Sequence, residues 1–234
     1  MSATTSAIGF AIERRFFALA ATLLAALVAL GFARTYYLKI LYATPALPLL
    51  VHVHGALITA WFVLVVVQAS LIAARRADLH RQLGVFGAVL AAAIVAVSPI
   101  VLVGATAREL ARPEIDPFWF VIFGVDFVIL ADFAVLVGVA LALRRRRDVH
   151  QRLMLLATAS MLLPALSRLP LDIAATWLAF YAAVLVPVAI DTIRHRRLHP
   201  AFGWGAFAVL ASQQLAFFAT QGAAWRELTL WLLT

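Results

Sequence analysis

The sequence is divided into a series of apolar runs, each about as long as a helix that crosses a lipid bilayer. Such a helix needs about 20 apolar residues to cover about 30 Å of hydrocarbon at a rise of about 1.5 Å per residue. Seven runs meet or approach this requirement, and they cover residues 16–32, 54–74, 83–105, 118–143, 153–166, 171–193 and 202–218. A last apolar piece, 228–233, is too short to cross. The sequence therefore predicts an all-α, polytopic membrane helical bundle of about seven transmembrane helices.

The composition supports the same class of protein. Apolar residues make up 65% of the 234 positions and charged residues only 13%, whereas a soluble domain is roughly half apolar and a quarter charged. The net charge of +8 comes from cations beside the apolar runs. It therefore predicts contact with the lipid bilayer and its anionic headgroups, and not with nucleic acid. The chain has no cysteine, which excludes disulfides, thiolate metal sites and covalent c-type haem attachment.

The basic residues predict an orientation, because they are concentrated at alternate ends of the runs. One set of loops and the N-terminal segment hold 13 of the 19 Lys and Arg residues, namely Arg14, Arg15, Arg75, Arg76, Arg81, Arg144, Arg145, Arg146, Arg147, Arg152, Arg194, Arg196 and Arg197. Positive charge beside short loops resists translocation, so this set faces the cytoplasm. The prediction is one integral membrane domain, 1–234, in a cell inner membrane, with a cytoplasmic N-terminus and an outer C-terminus. Residues 1–15 form a cytoplasmic segment, and 16–234 form the bundle, which begins with a retained signal anchor.

Three of the predicted cytoplasmic loops resemble one another. Residues 75–84 read RRADLHRQLG, residues 145–153 read RRRDVHQRL, and residues 194–203 read RHRRLHPAFG. Their alignment brings His80, His150 and His199 to one position, and the first two loops match best. The match predicts three repeated helical hairpins after the anchor helix. The alternative is that any cytoplasmic loop will contain arginine clusters.

The first two of these loops contain candidate cofactor ligands. Asp78 and Asp148 are favoured N-cap residues, so His80 and His150 should lie in the first turns of two helices on the same side of the membrane. The positive end of a helix dipole favours the neutral imidazole, which is the form that binds metal. We therefore consider His80 and His150 as a ligand pair, with ordinary interfacial histidines as the alternative. His195 and His199, in a very basic loop, are given no such role.

Several polar residues are predicted to lie within the membrane. Asp126 and Asp132 belong to the fourth run, where an unpaired carboxylate costs at least about 2.5–3.5 kcal/mol. Each must face the bundle interior, carry a proton or meet a partner. The candidate partners are His54, Gln68, Arg168, Gln213 and Gln214. A structural hydrogen bond between helices and a path for a proton or substrate both remain open.

The order of these residues resembles a family of predicted bacterial membrane proteins with no assigned function. Its members have a histidine and a later glutamine in one span, then H-R-x-x-G, then H-x-x-x-M and a later arginine. The matching residues, within roughly 50–170, are His54, Gln68, His80, Arg81, Gly84, His150, Met154 and Arg168. The H-R-x-x-G start is also similar to helices of cytochrome b561-type haem proteins, in which histidines from two helices hold a haem.

The second resemblance implies a haem b in a redox role, with His80, His150, His54 and Met154 as cofactor-binding candidates. The crevice would be formed by Gly84 and Gly87, which could equally be a helix-packing surface. A second hypothesis is a small-molecule or proton transporter or receptor that uses Asp126, Asp132, Gln68 and Arg168. A third is a non-catalytic structural or assembly protein. The sequence has no hydrolase or P-loop motif, and its one lysine, Lys39, lies in a loop, which argues against a retinal Schiff base.

Overall fold

The computed structural model describes residues 3–42 and 44–233, without the side chains of residues 3–12 and Arg14. Met1, Ser2, Ala43 and Thr234 lie outside this part of the chain. All regular structure within it is helical, which confirms the predicted fold class. The α-helices are α1 (Ala3–Gly31), α2 (Leu49–Ala73), α3 (Ala77–Leu110), α4 (Phe118–Ala142), α5 (Arg147–Ser160), α6 (Leu163–Leu166), α7 (Ile173–His195), α8 (Pro200–Ala219) and α9 (Ala223–Leu233).

Six segments of the described chain are long and apolar enough to cross a membrane. They are α2, α3, α4, α7, α8 and the combined segment Arg147–Leu166, which contains α5 and α6. The apolar part of α1, Arg15–Gly31, is shorter, and its length is at the lower limit of about 17 residues for a span. Each predicted run therefore corresponds to a helix or, in one case, to a broken helix.

The break between α5 and α6 brings a second helix very close. Pro164 lies in the first turn of α6, where a missing backbone N–H is tolerated. The end of α1 packs against this short helix. A Cβ atom added to Gly31 would overlap the carbonyl oxygen of Ala165 and lie 2.7 Å from its carbonyl carbon. Only glycine fits this contact between α1 and α6 without a shift of the backbone.

The helix starts that follow the first two arginine-rich hinges match, although Arg75 has a φ of 62° and its counterpart Arg145 does not have a positive φ. The N-cap residues are Arg76 before α3 and Arg146 before α5, two aligned positions. The amide of His80 donates to Arg76 O at 3.1 Å, and that of His150 donates to Arg146 O at 2.9 Å. This agreement supports a shared hairpin design for these two hinges.

The prediction that Asp78 and Asp148 are the N-caps is wrong. Each helix starts one residue before its aspartate, and neither start has a side-chain cap. The carboxylates bind other side chains instead: Asp78 lies 3.5 Å from Arg76 Nε and Asp148 lies 3.1 Å from His199 Nε2. The third hinge differs, because His199 itself is the N-cap of α8 and its Nδ1 accepts from Ala201 N at 3.2 Å.

At the opposite end of the bundle, the connection between α1 and α2 folds back onto α2. Tyr37 Oη and Thr59 Oγ1 are 2.8 Å apart, and Tyr36 Oη donates to His52 O at 3.1 Å. The Tyr36 ring also covers Gly55. Ile40, 89% exposed, is among the apolar side chains that this connection leaves on the surface. Such a surface suits the boundary between headgroups and hydrocarbon.

Candidate functional site

His80 and His150 lie beside each other at the arginine-rich end of the bundle. Their ring centroids are 6.4 Å apart and their planes are at 84°. They belong to α3 and α5, both of which pack against α4. His150 Nδ1 lies 2.8 Å from Ala140 O near the end of α4. A carbonyl only accepts, so Nδ1 is the donor, and in a neutral ring Nε2 would keep its lone pair.

Two polar atoms near this histidine pair have no hydrogen-bond partner. They are His80 Nδ1 and Gln68 Oε1, and both are buried. Gln68 faces α3, where its Nε2 lies 3.7 Å from the position of a Cβ on Gly84, one turn after His80. Buried polar atoms are nearly always hydrogen-bonded. The surroundings of His80 and Gln68 therefore have an unused capacity to bind a polar group.

The small residues beside His80 pack against α2. A Cβ on Gly87 would lie 3.2 Å from Leu64 Cδ2, and the contact at Gly84 also belongs to α2. This arrangement favours helix packing as the role of both glycines. Met154 lies one turn beyond His150 and packs against the hydrophobic core.

His54 does not lie near the histidine pair. It lies near the start of α2, about 21 Å along the helix from Gln68. Its Nδ1 is 3.3 Å from Ser98 Oγ, and that hydroxyl donates to Ile94 O at 2.7 Å. The Nδ1 of His54 is thus the donor to Ser98, which makes this contact a helix-to-helix hydrogen bond between α2 and α3.

Asp132 finds one of its predicted partners, Gln213. Gln213 Nε2 donates to Asp132 Oδ2 at 3.0 Å, and Ser212 Oγ lies 2.9 Å from each carboxylate oxygen. The same Gln213 amide donates to Ser160 O at 3.1 Å. These contacts join α4, α5 and α8 inside the bundle, as a structural hydrogen bond would.

Asp126 and Arg168 both lie toward the opposite end of the bundle and are close enough to attract each other, but no hydrogen bond or salt bridge joins them. The Arg168 guanidinium lies 4.4 Å from the centroid of the Phe32 ring and also donates to Pro164 O. Asp172, the nearest carboxylate along the chain to Arg168, is the N-cap of α7 and accepts from Ala175 N at 2.7 Å.

The sequence analysis missed a buried ion pair at the arginine-rich end. Arg152 Nε donates to Asp191 Oδ2 at 2.9 Å, and Arg152 Nη2 donates to Asp191 Oδ1 at 2.8 Å. The side chains are 3% and 1% exposed. From the sequence, Arg152 is only one of the 13 basic residues that predict the orientation of the protein in the membrane. The signal in the sequence was Asp191, a carboxylate in the sixth apolar run that needs a partner.

Arg152 of this ion pair lines a charged pocket of about 180 Å³, together with Glu13, Asp148, His195, Arg197 and His199. Every lining side chain is ionisable. His195 Nδ1 lies 2.9 Å from Asp191 O and 3.3 Å from Asp191 Oδ1. His195 and His199, which the sequence analysis gave no role, thus hold the pocket together.

The fold and these sites define an integral membrane helical bundle with a histidine pair and a charged pocket at one end. Among the described residues, no group of three or more His, Asp or Glu side chains is arranged to hold a metal ion. Comparisons of the chain with models of known protein families, with curated proteins and with solved structures found no match.

Proposed function

We propose that this integral membrane protein binds a haem b whose iron is held between His80 and His150, in a redox role. The observation that carries the proposal is the 6.4 Å separation of the two ring centroids. At this separation one ring nitrogen of each histidine could bind the same iron, since such bonds are about 2 Å long. Bound haem would supply one-electron chemistry.

The number of available ligands supports haem rather than a bare metal ion. A structural metal site usually needs about four protein ligands, and the described residues offer no group of even three. A porphyrin supplies four nitrogens, so two histidines complete the coordination. The Nδ1 contact of His150 with Ala140 O also matches the way proteins orient a metal-binding imidazole.

The transporter hypothesis has weaker support. Asp132 is hydrogen-bonded to Ser212 and Gln213, and these contacts account for this carboxylate as a link between helices. Among the described residues, Gln213 Oε1 beside Asp132 also has no hydrogen-bond partner. Two further buried atoms without partners, His80 Nδ1 and Gln68 Oε1, lie at the histidine pair. They favour a bound cofactor at that end.

The test is a reduced-minus-oxidised absorption spectrum of protein purified from cells supplied with haem. We expect b-type bands in the parent, and loss of haem in His80→Ala and in His150→Ala. His52→Ala is the matched control, because His52 is an exposed histidine at the opposite end of the bundle, and it should retain the haem. A parent that contains neither haem nor a stoichiometric metal would refute the proposal. Cofactor retained in both variants would refute the ligand assignment.

We also propose that the arginine-rich end faces the cytoplasm of a cell with this protein in its inner membrane. The support is the 13-to-6 partition of basic residues in the sequence. Reporters fused after Arg81 and Arg147 should read as cytoplasmic, and a reporter fused after Arg112 should read as external. The opposite pattern at these three positions would reverse the orientation.

A further inference from the structure

We infer that the charged pocket is a binding site for a small zwitterionic group, an ammonium joined to a phosphate, either free or as the headgroup of a lipid. The pocket has a volume of about 180 Å³. A water molecule takes about 30 Å³ in the liquid, so the volume is suitable for a compact polar group of a few heavy atoms.

The buried guanidinium offers donors to the anionic part of such a ligand. Arginine has five N–H groups. Arg152 uses two on Asp191 and one, from Nη1, on Asp148 O at 2.8 Å. Two N–H groups remain on a side chain that is only 3% exposed. Arg197, at the rim of the same pocket, adds a second and exposed cation.

Two carboxylates of the same pocket, Glu13 and Asp148, offer acceptors to an ammonium, and Glu13 Oε1 lies 3.9 Å from Arg152 Nη2. Glu13 Oε1 accepts from Gln151 Nε2 at 2.7 Å, which leaves Oε2 without that bond. Asp148 uses Oδ2 for His199 at 3.1 Å, which leaves Oδ1. Each carboxylate therefore retains an oxygen that can accept from a ligand.

The balance of charge distinguishes a zwitterion from a simple ion. Glu13, Asp148 and Asp191 oppose Arg152 and Arg197, so the formal charge is −1 with His195 and His199 neutral and +1 with both protonated. A simple anion would be repelled by the carboxylates of the pocket, and a simple cation would be repelled by its arginines. A ligand with both charges pairs with both sets, and its desolvation is compensated at each end.

The position of the pocket at the arginine-rich end of the bundle makes lipid a direct source of this chemistry. The pocket is formed where α5 and α8 begin and where α7 ends, and arginine clusters beside membrane helices typically lie near the headgroups. Phosphatidylethanolamine has a phosphate and a primary ammonium that can donate to Glu13 and Asp148. Phosphatidylcholine has the same charges, but its trimethylated nitrogen has no N–H to donate.

The experiment compares thermal unfolding of the full chain in nanodiscs that contain phosphatidylethanolamine or phosphatidylcholine, with equal anionic lipid. We expect a Tm several degrees higher with phosphatidylethanolamine. The difference should disappear in Glu13→Gln and in Arg197→Gln, and should persist in Arg75→Gln, which changes an exposed arginine of another hinge. Each variant is first measured in phosphatidylcholine, so that a general loss of stability is separated from a loss of the lipid effect.

Soluble probes added to phosphatidylcholine nanodiscs identify the source of the ligand. A rise in Tm with phosphoethanolamine, but not with inorganic phosphate or ethanolamine alone, would support a free zwitterion as the ligand. A rise only with the lipid would support a headgroup site. Equal Tm values in both lipids, with no response to phosphoethanolamine, would overturn the inference. A rise in Tm with inorganic phosphate as large as that with phosphoethanolamine would also overturn it. So would a lipid effect that is retained in both Glu13→Gln and Arg197→Gln.

Discussion

Replacement of Arg152 by methionine is expected to lower the free energy of unfolding by about 3–5 kcal/mol, which is the usual cost of breaking a buried ion pair. The change leaves Asp191, 1% exposed, as a buried carboxylate without its cation. It also removes the donor to Asp148 O and the guanidinium that lies 5.7 Å from the centroid of the Phe202 ring. Three helices, α5, α7 and α8, lose a common contact.

The double variant Arg152→Met, Asp191→Leu should recover most of this loss, because apolar residues of similar volume replace both charges. The measurement is thermal or denaturant unfolding in one detergent for the parent, both single variants and the double variant. Arg145→Met, at an exposed arginine of the hinge before α5, is the control and should change stability by no more than about 0.5 kcal/mol. If Arg152→Met behaves like this control, Arg152 and Asp191 are not a buried pair.

The second large effect is expected for Gly31→Ala. The new methyl group would overlap the Ala165 carbonyl, and both groups at this contact are backbone, so α1 and α6 must move apart. Overpacking of this kind typically costs about 1–3 kcal/mol, and occasionally more.

The matched control is Gly138→Ala, because a Cβ at Gly138 would meet no atom within 4 Å. Gly138 lies inside α4, where alanine is the better helix former by about 1 kcal/mol. We therefore expect a lower Tm for Gly31→Ala and an unchanged or higher Tm for Gly138→Ala. Equal shifts in the two variants would mean that the close contact of α1 with α6 does not exist.

The features that follow local rules could be predicted from the sequence. The lengths of the apolar runs predicted the positions of the long helices. The matching hinges predicted that His80 and His150 lie in the first turns of two helices on one side of the membrane, and the packing of α3 and α5 against α4 brings the two rings together. The partner of Asp132 was among the few polar residues available within the membrane, and Gln213 is that partner.

The charged pocket could not be predicted in the same way, because it depends on contacts between distant parts of the chain. Arg152 and Asp191 are 39 positions apart, and Gln151 and Glu13 are 138 apart. Within an arginine cluster, nothing local distinguishes the one side chain that packing buries. At the two predicted N-caps the carboxylates have other partners, one distant and one local: Asp148 binds His199, 51 positions away, and Asp78 pairs with the nearby Arg76.

The break in the fifth apolar run has a consequence for the chemistry that α4 can tolerate. In an unbroken helix, the carbonyl of Ser160 would accept from the amide four residues later, but that residue is Pro164, which has no N–H. The amide of Gln213 binds this carbonyl at 3.1 Å and also binds Asp132 at 3.0 Å. Pro164 thus leaves the Ser160 carbonyl free to accept from the Gln213 side chain of α8. The same side-chain amide donates a hydrogen bond to the carboxylate of Asp132 in α4.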